Sequence, residues 1–114
     1  MISMILTYTR GNQIYSTSFT DKGEANNWYK KLCSDKNVEN IEGRYMIVKV
    51  RFPGYHREYT YLSDMIYNPG TQLLVNTDDG VKTVTVVTSG LETKKNLEKV
   101  IPMYRYKEIL GRAS

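Results

Sequence analysis

The sequence predicts an α+β fold dominated by antiparallel sheet, or a small barrel, with one amphipathic helix near the N-terminus and a short second helix. Three observations support this. Short stretches of alternating apolar and polar residues are separated by turn pairs such as Gly11-Asn12, Pro53-Gly54 and Asp79-Gly80. One stretch, residues 20–35, has helical spacing instead. A chain of 114 residues with no repeat and no linker is expected to form one domain, 1–114.

The first element is a hairpin. "MILTYTRGNQIYSTSF" (4–19) alternates around Gly11-Asn12, a Gly-X pair suited to a two-residue turn. The helix follows: Ala25, Trp28, Tyr29, Leu32 and Cys33 recur at i, i+3, i+4, i+7 and i+8, which predicts one buried stripe. Asp21, three residues before Glu24, fits a capping pair at its start.

After a polar connector at Asp35–Asn37, "NVENIEGRYMIVKVRF" reads as strand and ends at Pro53-Gly54, from which "YHREYTYL" returns. With Pro53-Gly54 at the tip, Phe52 opposes Tyr55, Lys49 opposes Glu58 as an ion pair, Val48 opposes Tyr59 and Met46 opposes Tyr61. That places Met46, Val48, Val50, Phe52, Tyr59 and Tyr61 on the core side.

"TQLLVNTDDGVKTVTVV" is expected to form a further hairpin with Asp79-Gly80 as a type I′ loop, Val75 facing Val84 and Leu73 facing Val86. "SGLETKKNLEK" has weaker helical spacing at Leu91, Lys94, Lys95 and Leu97, with Ser89 as its cap and Val100-Ile101-Pro102 as its end. "MYRYKEIL" (103–110) alternates, and is expected either to close the sheet as an edge strand or to finish as a helical turn.

Composition narrows the function. The net charge of +4 sits entirely in the first half: residues 1–57 hold nine Lys or Arg against five acids, and residues 58–114 seven against seven. The single cysteine excludes an internal disulfide and a thiolate zinc site, and suits a reducing cytoplasm. The N-terminal "MISMILTYTRGNQ" lacks a basic region and a long apolar run, so neither a signal peptide nor a membrane span is expected. No cofactor is expected either, because no Gly-rich phosphate loop and no ordered Ser/His/Asp set is found.

The stretch "RYMIVKVRFPGYHREYTYL" (44–62) interleaves five basic or imidazole side chains with five aromatic ones and a single acid, Glu58. On the register above its tyrosines are sheet packing, and Arg51, Tyr55, His56 and Arg57 remain for a ligand. His56, the only histidine, cannot build a multi-histidine metal site and reads as a surface residue; acid–base catalysis by it is the third functional class after protein and nucleic-acid binding. Cys33 and Trp28 read as core, Asp78-Asp79 as turn chemistry, and Lys94, Lys95 and Lys99 as a solvated helix face.

In "YTYLSDMIYNPGTQLLVNTDDGVKTVTVV" (59–87), an aromatic strand, a Pro-Gly turn, a strand and a return strand after Gly-Val-Lys resemble the small N-terminal β-barrel of the primosomal DNA helicase family, and also small hypothetical phage and prophage proteins. The resemblance implies an SH3-like barrel, a bacterial or phage origin, and contact with DNA or a replication protein. It covers about a quarter of the chain, the helicase motor is absent and residues 1–43 have no counterpart. No functional residue is carried over from it.

The expected function is a small non-enzymatic binding module whose partner is a protein, contacted through Arg51, Tyr55, His56, Arg57, Tyr104, Arg105 and Tyr106, since Tyr and Arg are frequent energetic anchors of interfaces. The alternative partner is nucleic acid, with Arg44, Lys49, Arg51 and Arg57 on phosphates and a tyrosine stacked on a base. A second copy of the chain is a further candidate, paired through an edge strand at 103–110.

Overall fold

The computed structural model describes residues 2–113. Its strands are β1 (Met4–Arg10), β2 (Gln13–Phe19), β3 (Val38–Arg51), β4 (Glu58–Leu62), β5 (Gln72–Thr77), β6 (Gly80–Thr93) and β7 (Gly111–Arg112). Two helices, α1 (Lys22–Cys33) and α2 (Lys94–Glu98), and a 3₁₀ turn (Met103–Arg105) complete it. The sheet order is β2-β1-β3-β6-β5-β7, with β4 also on β3, and every strand pairing is antiparallel.

The first hairpin forms as its turn chemistry dictates. Arg10 pairs with Gln13, which leaves Gly11-Asn12 as a two-residue loop, and Gly11 supplies the positive φ of 63° that the first loop position needs. Asp21 caps α1, its carboxylate accepting from the N–H groups of Gly23 (2.7 Å) and Glu24 (3.2 Å).

The buried stripe of α1 is narrower than its spacing suggests. Ala25 and Leu32 are buried and Tyr29 is half-buried, whereas Cys33 and Trp28 are exposed, Trp28 by 44%. The helix covers the β1–β3 end of the sheet, so only its 25/29/32 line reaches inward. Trp28 stays at the rim, its ring tilted against Phe19 with centroids 6.4 Å apart and the Lys31 ammonium 5.6 Å from the Trp28 ring centroid.

β3 organises the molecule. Its first part pairs with β1, its last part with β4 on the same edge, and β6 runs along the opposite edge from Arg44 to Arg51. Ser3 and Ser63 join β1 and β4 where they meet: Ser3 N–H donates to the Ser63 carbonyl at 2.9 Å, and Ser63 N–H donates to the Met46 carbonyl at 2.9 Å.

Two apolar cores lie on opposite faces of this strand. Tyr45 and Ile47 join Met4, Leu6, Leu32, Leu62 and Leu97 in the first. Val48 and Val50 join Tyr61, Leu73, Val75, Val84, Val86 and Ile109 in the second. Because strand side chains alternate, the adjacent apolar pair Ile47-Val48 marks the point at which the buried face changes over. The expected single core side, Met46 through Phe52, therefore holds only from Val48 onward, and Met46 is half-buried on the other side of the first core.

Two registers differ from expectation by two residues. Arg51, not Lys49, pairs with Glu58, and Val48 pairs with Tyr61. The Pro53-Gly54 turn does form, with Tyr55 N–H donating to the Phe52 carbonyl (3.1 Å) and Gly54 at φ 82°. A type II turn of this hand cannot close a two-residue hairpin, so residues 52–57 form a longer loop. In the other hairpin Leu73 pairs with Val84 and Thr77 with Gly80, so Asp78-Asp79 are the loop residues. Gly80 takes the positive φ (103°) and Asp79 does not, which rules out the expected type I′ loop. A shift of two preserves the faces, and Leu73, Val75, Val84 and Val86 are buried together as expected.

The C-terminal third departs further. Ser89 lies in β6, accepting from Tyr67 N–H (3.1 Å) and donating to the Ile47 carbonyl (3.1 Å), while Thr93 caps α2. Residues 103–105 form the 3₁₀ turn, whose three-residue period buries Met103 and Tyr106. The segment beyond it passes between β4 and β5. Leu62 N–H donates to the Lys107 carbonyl (2.9 Å), Ile109 N–H to the Leu62 carbonyl (3.0 Å) and Leu110 N–H to the Leu74 carbonyl (2.8 Å). With one parallel bridge at Leu62–Glu108 and a two-residue β7, the sheet stays open and no closed barrel forms.

Candidate binding cleft

The second core runs out toward the end of the sheet where two hairpins converge. Tyr61 and Tyr59 share a face with Val48 and Val50, their strand partners. Exposure rises along that row, from buried Tyr61 to Tyr59 at 39%. Phe52 meets the Tyr59 ring edge to face at 5.3 Å, and Arg57 covers it at 5.0 Å.

These rings form one wall of a cleft of about 750 Å³, together with Pro53 and Tyr55 of the β3–β4 loop. The opposite wall is the β5–β6 hairpin, with Asn76, Thr77, Asp78, Asp79, Lys82 and Thr83, and Lys107 completes the lining. The hairpin tip is tied by Thr77, whose hydroxyl donates to the Gly80 carbonyl (2.8 Å) and accepts from Asp79 N–H (3.2 Å). Two acids and two lysines thus surround an aromatic surface. Burial, with a smaller push from Tyr59, raises the Tyr61 phenol above its ordinary value.

The sequence-predicted residues fall into groups that the fold separates. Arg51 braces the loop: its Nε–H donates to the His56 carbonyl at 3.2 Å and its guanidinium pairs with Glu58 at 3.2 Å. Tyr55 lines the cleft and is 70% exposed; His56 and Arg57 are exposed on the same loop outside the lining. Tyr104 and Arg105 are exposed on the 3₁₀ turn, which packs on α2, and neither reaches the cleft. Tyr106 is not available to a partner: it is buried in the first core and its hydroxyl donates to the Leu97 carbonyl.

The residues of the nucleic-acid alternative do not form one surface. Arg44 pairs with Glu42 at 2.7 Å, and it faces the side of β3 opposite to Lys49 and Arg51 because odd spacing reverses the face. Lys49 lies near Glu92, whose carboxyl is held below the usual range chiefly by the Asn96 side chain, then by Thr93 N–H, with a smaller contribution from Lys49.

A second recess of about 430 Å³ lies beside α2, lined by Tyr29, residues 40–43, Thr93–Asn96 and Lys99. Its Lys94 is engaged, covering the Tyr29 ring at 4.4 Å and pairing with Glu98. Among the described residues no group of His, Cys, Asp and Glu is placed to hold a metal ion, and no helix is long and apolar enough to cross a membrane.

Asp78, Asp79, Lys82 and Lys107 were not legible as site residues, since nothing local brings a loop at 52–57, a hairpin tip at 78–79 and position 107 together. Tyr59 and Tyr61 carried a signal, since the expected cross-strand register already set them on the face of Val48, Val50 and Phe52. Comparison of the chain with known protein families, curated proteins and solved structures finds no match.

Proposed function

We propose that this protein is a small binding module that holds an extended segment of a partner protein in the aromatic cleft between the β3–β4 loop and the β5–β6 hairpin. One observation supports this reading above the rest: Phe52, Tyr55, Tyr59 and Tyr61 line a single cleft facing Asp78 and Asp79. Tyrosines give large, stiff contact area with a polar end, and they lose little rotamer freedom on binding. Among the described residues no basic side chain lies in salt-bridge distance of either aspartate. The two aspartates can therefore take a cationic side chain of the segment, while Lys82 and Lys107 on the same lining can take an acidic one.

Selection of binders from a displayed random-peptide library, followed by calorimetric titration of the enriched peptides, tests this. Tyr59→Ala is expected to weaken binding by tenfold or more, about 1.4 kcal/mol or above, with the fold retained because Tyr59 stands at the rim of its core. Failure to enrich any peptide, or binding indifferent to Tyr59→Ala, rejects the cleft as the site. Short oligonucleotides titrated at low and moderate salt supply the rival arm, and steeply salt-weakened binding would favour nucleic acid.

A further inference from the structure

β2 is a seven-residue strand with one side unpaired along its whole length. It bonds to β1 on one side, and among the described residues no loop, turn or side chain bonds its outer side. At the opposite end of the order the sheet finishes in β7, only two residues long. Proteins usually blunt an exposed edge with a proline, a charge or a bulge. "QIYSTSF" has neither proline nor charge, its register with β1 is unbroken, and six of its seven residues are exposed.

We propose that β2 pairs antiparallel with β2 of a second copy of the chain, about a two-fold axis at Ser16, to join two sheets into one. In that register Ser16 opposes its own copy, Tyr15 opposes Thr17 as an aromatic and β-branched pair, Ile14 opposes Ser18 and Gln13 opposes Phe19. No like charges meet, although each chain carries a net charge of +4.

Side-chain placement favours a second copy over an unrelated strand. Tyr15 lies on the same face of β2 as Phe19, whose ring is in contact with the exposed Trp28. The axis at Ser16 sets Tyr15 one diagonal step from Phe19 of the other copy, within reach of aromatic side chains. Tyr15 is already ordered by stacking on Tyr8 at 5.3 Å, so its ring is presented to the partner at low entropic cost. On the other face Ile14, 81% exposed and without cover in the single chain, gains a neighbour across the new pairing.

Sedimentation equilibrium of the full chain over a wide concentration range tests the proposal. The expected result is a concentration-dependent doubling of mass. Ser16→Lys places two cations opposite each other at the axis and is expected to return the mass to that of one chain, with circular dichroism unchanged because Ser16 is exposed. An equimolar mixture of Ser16→Lys and Ser16→Glu is expected to restore the doubled mass through the complementary pair. A Ser16→Cys, Cys33→Ser chain gives an independent reading, since oxidation should link two copies through position 16. A wild type that stays single up to its solubility limit overturns the proposal. So does a dimer indifferent to Ser16→Lys, or a mixture that fails to reassociate.

Discussion

Ile47 and Val48 are neighbours in the chain but are buried in different cores, on opposite faces of β3. One strand therefore serves as a shared wall: its first part is covered by α1 and α2, and its last part forms the floor beneath the cleft-forming hairpins.

Separate cores should respond to truncation separately. Ile47→Ala is expected to cost about 2–4 kcal/mol and Val50→Ala about 1–3 kcal/mol, from lost burial and the cavity left behind. They face opposite sides of β3 and belong to different clusters, so the double variant should lose the sum within about 0.5 kcal/mol. Urea unfolding of the three variants checks this; a coupling well above that value would mean that the two cores pack as one.

Two buried tyrosines should respond to loss of the hydroxyl with opposite signs. Tyr45 is fully buried and its hydroxyl has no hydrogen-bond partner among the described residues, so Tyr45→Phe removes an unsatisfied group and should be neutral or stabilising by about 1 kcal/mol. The Tyr106 hydroxyl donates to the Leu97 carbonyl, and Tyr106→Phe should cost about 1 kcal/mol. Thermal unfolding of the pair measures both; a Tyr45→Phe loss as large as that of Tyr106→Phe would contradict the assignment.

Alkaline pH should weaken the fold. Burial, with a lesser push from Glu98, raises the Tyr45 phenol from 10.0 to about 12. Below pH 10 the phenol is protonated in both states and contributes no slope. Between pH 10 and 12 the unfolded chain releases this proton first, so stability falls as pH rises. Tyr29, Tyr61, Tyr67 and Tyr106 are shifted in the same direction, each chiefly by burial, and add to the trend. Following phenolate absorbance and circular dichroism together should show ionisation of the buried rings coinciding with unfolding, and Tyr45→Phe should flatten the slope.

The cap of α1 is open to a direct test. Asp21→Ala removes the acceptor for two N–H groups in the first turn and should cost about 0.5–2 kcal/mol. Asp21→Asn or Asp21→Ser should recover most of this, as measured by denaturant midpoint. An alanine variant as stable as the wild type would show that the helix is held by Ala25 and Leu32 packing alone.

Much of the fold was legible because its signals are local. Gly11-Asn12 named the first turn, Asp21 the helix start, and the alternation of Leu73, Val75, Val84 and Val86 their common face. Both misjudged registers were off by two, which leaves every side chain on its expected face, since strand periodicity is also two. The errors that mattered came from coverage. Trp28 and Cys33 fit a helical stripe but lie beyond the width that the sheet covers, and Tyr106 reads as an exposed strand residue but turns inward on the 3₁₀ period.

The sequence by itself determined the positions of the main turns, the first hairpin and helix, and which side chains share a face along the central strands, because backbone preference and alternation act over a few residues. Only the tertiary structure decided which face of β3 is buried at each point, and that the 52–57 loop, the Asp78-Asp79 tip and Lys107 converge on one cleft. Alternation distinguishes two faces but carries no information about what will cover either one. That depends on packing between segments distant in the chain.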